Sequence, residues 1–194
     1  REFHLMTLLS GSRPTALKNV RLHHIDFRKR LMHIPKPKGG KKKAFDIPLS
    51  RPMILCIVRT IRAGRILYPD LDGSWLFPAD SDSGHLEEHK EDRDVLSKWG
   101  NDLRQSYRTL AQAVGVSELD IHLLMNHSLP GVNAGYITRD SLLHDHLRKQ
   151  QQRISKVIID SANRKADDEG LDWLYRGKVK TLSVLPEEMF KAAA

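Results

Sequence analysis

The chain has 194 residues, with 32 Lys or Arg against 24 Asp or Glu and a net charge of +8. That length supports one sizeable core, and a basic balance of this size points to an anionic partner, of which nucleic acid is the commonest. The single cysteine, Cys56, excludes an internal disulfide and fits a reducing, cytoplasmic compartment, while no apolar run is long enough for a bilayer and no signal peptide is visible, so no membrane partner is expected.

Leu5 to Leu9 reads as the end of a helix broken by Ser10-Gly11-Ser12. The chain opens so close to this point that an N-terminally truncated piece of a longer protein, without its upstream domains, is expected. Pro14 suits the first turn of a helix running to about Val20. Leu22 to Phe27, Leu31 to Ile34 and Ala44 to Leu49 are short and roughly alternating, which predicts a three-stranded antiparallel meander. A helix from Pro52 to about Ala63 follows, and then a short strand or extended segment, Trp75 to Phe77. Residues 79–94 read as a polar, acidic surface loop. Val95, Trp99, Leu103, Tyr107, Leu110 and Val114 recur at spacings of three and four and predict a core-facing helix stripe, with Asn101, Arg104 and Arg108 on another face. Gly115 ends this helix. Ser117 can cap the next, with Leu119, Leu123 and Leu124 inward. Tyr136 falls at or near a short helix. A long helix starts at Asp140 or Ser141, with Leu143, Leu147, Ile154 and Ile158 on one face. The domain is drawn as residues 1–165. Ala166 to Gly170 reads as a polar hinge, and the apolar tail beyond it must dock, in cis or on a neighbouring protomer.

The chemistry-bearing residues are Arg104, His127 and, nine positions later, Tyr136. A guanidinium, an imidazole and a phenol are the groups needed to attack a phosphodiester with a tyrosine and hold the developing charge. Arg13 follows the Ser10-Gly-Ser turn, and a basic connection, Pro35 to Ser50, carries Lys36, Lys38, Lys41, Lys42 and Lys43. Between Arg28 and Lys43 there are eight Lys or Arg and no acid. Arg28, Lys29, Arg30, Lys36, Lys41, Lys42, Lys43 and Arg108 are therefore expected to contact DNA phosphates, with strong salt dependence. His85 and His89 near Glu87, Glu88 and Glu91, and His23, His24 and His33 near Cys56, form no closed ligand pattern, so no metal is expected.

Taken in order, Arg13, Lys38, Arg104, His127 and Tyr136 resemble the active-site boxes of the tyrosine recombinase (phage integrase) family, over roughly residues 5–140. The Leu-Met-Asn-His127 to Tyr136 spacing favours the integrase branch over type IB topoisomerases and telomere resolvases. The resemblance implies an α+β, mainly helical catalytic domain with a small three-stranded antiparallel sheet. It implies site-specific DNA recombination through a 3′-phosphotyrosine intermediate, integrating or excising a phage or mobile element without a cofactor. Tyr136 would be the nucleophile and Lys38 the general acid, with Lys36 as the alternative amine. The expected partner is a double-stranded recombination site, bound as a homo-tetramer that is monomeric without DNA, with DNA-bending proteins as accessories in a bacterial nucleoid. Two positions depart from the pattern. Asn101 stands where the family has His, and an amide cannot act as a base at neutral pH. Ala16 stands where the family often has Glu. The general base therefore stays open between water and the cationic surroundings. The competing reading is a non-catalytic DNA-binding accessory protein of an integrative element, with Ser117 to His127 as a helix-turn-helix.

Overall fold

The structure, a computed structural model, describes residues 1–89, 91, 93, 94, 96–127 and 142–168. It is mainly helical with one small antiparallel sheet. Helix α1 (Glu2–Ser10) ends where Gly11 turns into the left-handed region at φ 59°. Arg13 is extended before Pro14, as the residue ahead of a proline must be, and Pro14 opens α2 (Pro14–Lys18). Strands β1 (Ile25–Asp26), β2 (Leu31–Ile34) and β3 (Phe45–Pro48) form a meander in which Met32 pairs with Ile25 and Ile47, and His33 with Asp46. Met32, Ile34 and Ile47 face the core.

Helix α3 (Arg51–Leu67) starts at Ser50, whose side chain accepts from the Met53 N–H. Helix α4 (Trp99–Ala113) buries Trp99, Tyr107 and Ala111. Helix α5 (Glu118–Leu124) is capped by Ser117, which accepts from the Asp120 N–H at 3.1 Å. A π-helical turn, Leu143–Leu147, leads into α6 (Arg148–Asp168). The core lies where α1 packs on α3 and α4, and α6 packs on α3 and α4, while β3 rests on the π-helical turn. Leu143, Leu147, Ile154 and Ile158 are buried as expected.

Four expectations are corrected. The first strand is short because the Arg21 N–H donates to His24 Nδ1 (3.0 Å), tightening Leu22–His24 into a 3-10 turn and leaving Ile25–Asp26 to pair. Helix α3 continues past Ala63 to Leu67, since Gly64 is accommodated against Pro78 and bonds back from Tyr68 at 2.9 Å. Leu119 points outward at 43 % exposure; Ile121, Leu123 and Leu124 make the inward face of α5. Helix α6 runs through Asp168 and buries Ala166, so the first part of the expected hinge is helical. Trp75, expected in a short strand or extended segment, makes an isolated antiparallel bridge with Arg21. Val95, the Tyr136 segment, the start of the long helix and the tail from residue 169 lie outside the described residues.

Candidate active site

Three backbone devices set this site. The first is the turn after α1. Gly11 has a positive φ, and a Cβ on it would lie 2.6 Å from the Tyr107 ring, so the chain passes α4 closer than any side chain allows. The second is the contact of α4 with α2, where a Cβ on Gly100 would lie 2.7 Å from Pro14. Together these seat the Arg13 turn against the helix that carries Arg104. The third is the end of α5. The His127 N–H bonds to the His122 carbonyl (2.9 Å) and the Asn126 N–H to that of Leu123 (3.4 Å), with Asn126 at φ 51°. This is a Schellman cap with Asn in the left-handed position usually given to Gly. It places His127 as the first residue past the cap.

These devices converge on a cavity of about 490 Å³ lined by Arg13, Lys38, Lys43, Arg104 and His127, with Ser12, Ala16, Phe45 and Asn126 among its other walls. Two arginines and two lysines line it, and no carboxylate among the described residues does. Arg104 is buried at 9 % exposure, not displayed on an outer helix face. Its Nη1 donates to the Gly11 carbonyl and its Nη2 to His127 Nε2 at 2.7 Å. Arginine has no acceptor, so Nε2 carries the lone pair and the neutral ring carries its proton on Nδ1. Burial, and then the charge of Arg13, lowers the Arg104 pKa to about 10. Burial, and then the charge of Arg104, brings His127 down to about 4. Both shifts come first from burial and are deepened by the neighbouring positive charges.

The remaining candidates scatter. Asn101 is exposed in the first turn of α4 and does not line the cavity. Lys36, Lys41 and Lys42 are exposed on the β2–β3 connection outside the lining, and Arg28, Lys29 and Arg30 occupy the exposed β1–β2 turn. Arg108 is paired with Glu118, which also takes His122 at 3.0 Å. Among the histidines considered for metal, His85 stacks on Trp75 at 4.1 Å, His89 sits against Phe3 and Trp99, His23 and His24 contact each other, and His33 pairs with Asp46 at 2.7 Å.

Sequence reasoning missed two members of the site. Lys43, read as a flanking phosphate contact, lines the cavity beside Lys38, its stem lying over Gly39. The Gly11 carbonyl is the anchor of Arg104. The Gly-Gly pair at 39 and 40, both at positive φ, was the only local signal that the connection folds back on itself. Comparison with family models, with curated proteins and with solved structures finds no match for this chain.

Proposed function

We propose that this chain is the catalytic domain of a tyrosine recombinase, a site-specific DNA strand-breaking and rejoining enzyme. The observation that carries the reading is the cavity itself: Arg13 from the turn after α1, Lys38 and Lys43 from the β2–β3 connection and Arg104 from α4 come together, with no opposing carboxylate among the described residues. A site of that charge and size suits a phosphodiester in an open groove. Arg13 and Arg104 hold the two nonbridging oxygens; among the described residues Arg104 bonds Gly11 and His127, which leaves it further N–H groups for the phosphate. Among the described residues, the His127 Nδ1–H has no partner, and it is a donor for the same oxygens.

In the reaction, the Tyr136 oxygen bonds to phosphorus and passes its proton to water as the P–O5′ bond breaks. The leaving oxygen takes a proton from Lys38. A 5′-hydroxyl later attacks the 3′-phosphotyrosine and gives its proton back to Lys38, while the Tyr136 oxygen leaves phosphorus and regains its proton from water. Tyr107 is no substitute nucleophile, because it is fully buried and its hydroxyl donates to Gln151.

The test is incubation with nicked duplexes whose sequence is randomised around the nick, followed by a denaturing gel. A covalent protein–DNA band supports the recombinase. Salt-sensitive binding without a covalent band would instead identify a non-catalytic DNA-binding protein.

A further inference from the structure

Four helices meet at one buried amide. Gln151 on α6 is 2 % exposed. Its Oε1 accepts from the Tyr107 hydroxyl of α4 at 2.9 Å, and its Nε2 donates to the Leu9 carbonyl of α1 at 2.8 Å and to Ser155 Oγ at 3.0 Å. Ser155 accepts in turn from Ser50 (2.7 Å), the residue that caps α3. Burial pushes the Tyr107 hydroxyl pKa up, so it stays a neutral donor.

The direction of these bonds matters more than their number. The Leu9 carbonyl belongs to the last turn of α1, two residues before Gly11. The Tyr107 ring is the surface on which Gly11 lies. Gly11 then offers its carbonyl to Arg104. An apolar side chain at 151 would hold the same helices together, but it would leave a carbonyl and a hydroxyl unsatisfied and would not fix where the Gly11 carbonyl points.

We propose that Gln151 is a positioning residue of the anion site: acting through Leu9, Tyr107 and the Gly11 carbonyl, it sets the Arg104 guanidinium at the place the phosphate occupies. Its catalytic consequence rests on the recombinase reading; its geometric consequence does not.

The experiment uses Gln151→Met, which keeps the volume and removes the hydrogen bonds. Two readouts are taken on the whole chain. The first is the His127 imidazole titration by NMR, assigned by its loss in His127→Gln. The groups facing this ring are Arg104, His122, Arg13 and Arg108. A guanidinium released from Gly11 holds the His127 lone pair less well, so the titration moves up from about 4 toward the ordinary histidine value. The second is the rate of covalent adduct formation, which falls roughly tenfold while DNA affinity stays within about twofold, as expected for one misdirected hydrogen-bonding group. Either readout at its wild-type value in a folded variant overturns the proposal. Should Gln151→Met fail to melt cooperatively, Tyr107→Phe keeps the ring under Gly11 and removes only the hydroxyl; the same two shifts are expected, and their absence overturns the proposal equally. If the wild-type protein forms no adduct, the recombinase reading fails, and the titration alone decides the positioning role.

Discussion

Arg104 is the residue on which the site's electrostatics turn. It is buried, bonded on one side to a backbone carbonyl and on the other to His127. Arg104→Ala is expected to slow adduct formation on nicked DNA by about 10²–10³-fold, the usual cost of removing one preorganised donor to a developing charge. Arg104→Lys should recover little, because an ammonium cannot span both partners while facing a phosphate. The two cavity lysines separate by substrate. Lys38→Ala should slow cleavage of an ordinary phosphodiester and be rescued by a 5′-bridging phosphorothiolate, whose thiolate leaves without a proton. Lys43→Ala should slow both substrates, as a phosphate contact would; rescue of Lys43→Ala instead of Lys38→Ala would exchange their roles. The order of Arg13, Lys38, Arg104 and His127 was legible in the sequence because each stands in a short local pattern. The Gly11 carbonyl and the reach of Lys43 were not, since a carbonyl has no sequence identity and a lysine stem is placed by the fold of its loop.

At the scale of elements, two turns decide where the functional groups point. Gly11→Ala adds a Cβ 2.6 Å from the Tyr107 ring at a φ of 59°, and should destabilise the protein by roughly 1–3 kcal/mol, read as a fall in the thermal midpoint. An unchanged midpoint would mean that the α1 turn and α4 can part without cost. Helices α3, α4 and α6 were legible from their apolar spacing, which is set by burial of one face. The first strand was not, because its pattern fits pairing equally well, and a single bond from the Arg21 N–H to His24 withdraws Leu22–His24 from the sheet. Leu119 was misplaced for a related reason: in a helix of seven residues the apolar positions crowd, and one must face outward.

For the molecule as a whole, the fold holds several imidazoles neutral. Burial is the first cause for each: it lowers His24 and His127 to about 4, and shifts His4 and His89 downward as well. In the unfolded chain these rings take up protons near 6.5. Between about 6.5 and 4 the unfolded state therefore binds more protons than the folded one, so stability is fully present above that window and falls as pH drops through it. Thermal midpoints at pH 7.5, 5.5 and 4.5 should decrease in that order, and His24→Gln with His127→Gln should flatten the trend; a midpoint that rises toward pH 4.5 would contradict the burial of these rings as neutral groups. The proposal is that this cationic cavity serves a tyrosine that attacks DNA, and the family resemblance makes Tyr136 the expected nucleophile. The most direct measurement is peptide mapping of the covalent protein–DNA adduct trapped on a nicked duplex. The nucleotide is expected on Tyr136, with no adduct in Tyr136→Phe at nearly unchanged DNA affinity; an adduct of normal yield in Tyr136→Phe, or a modification mapped to any other residue, would contradict that role.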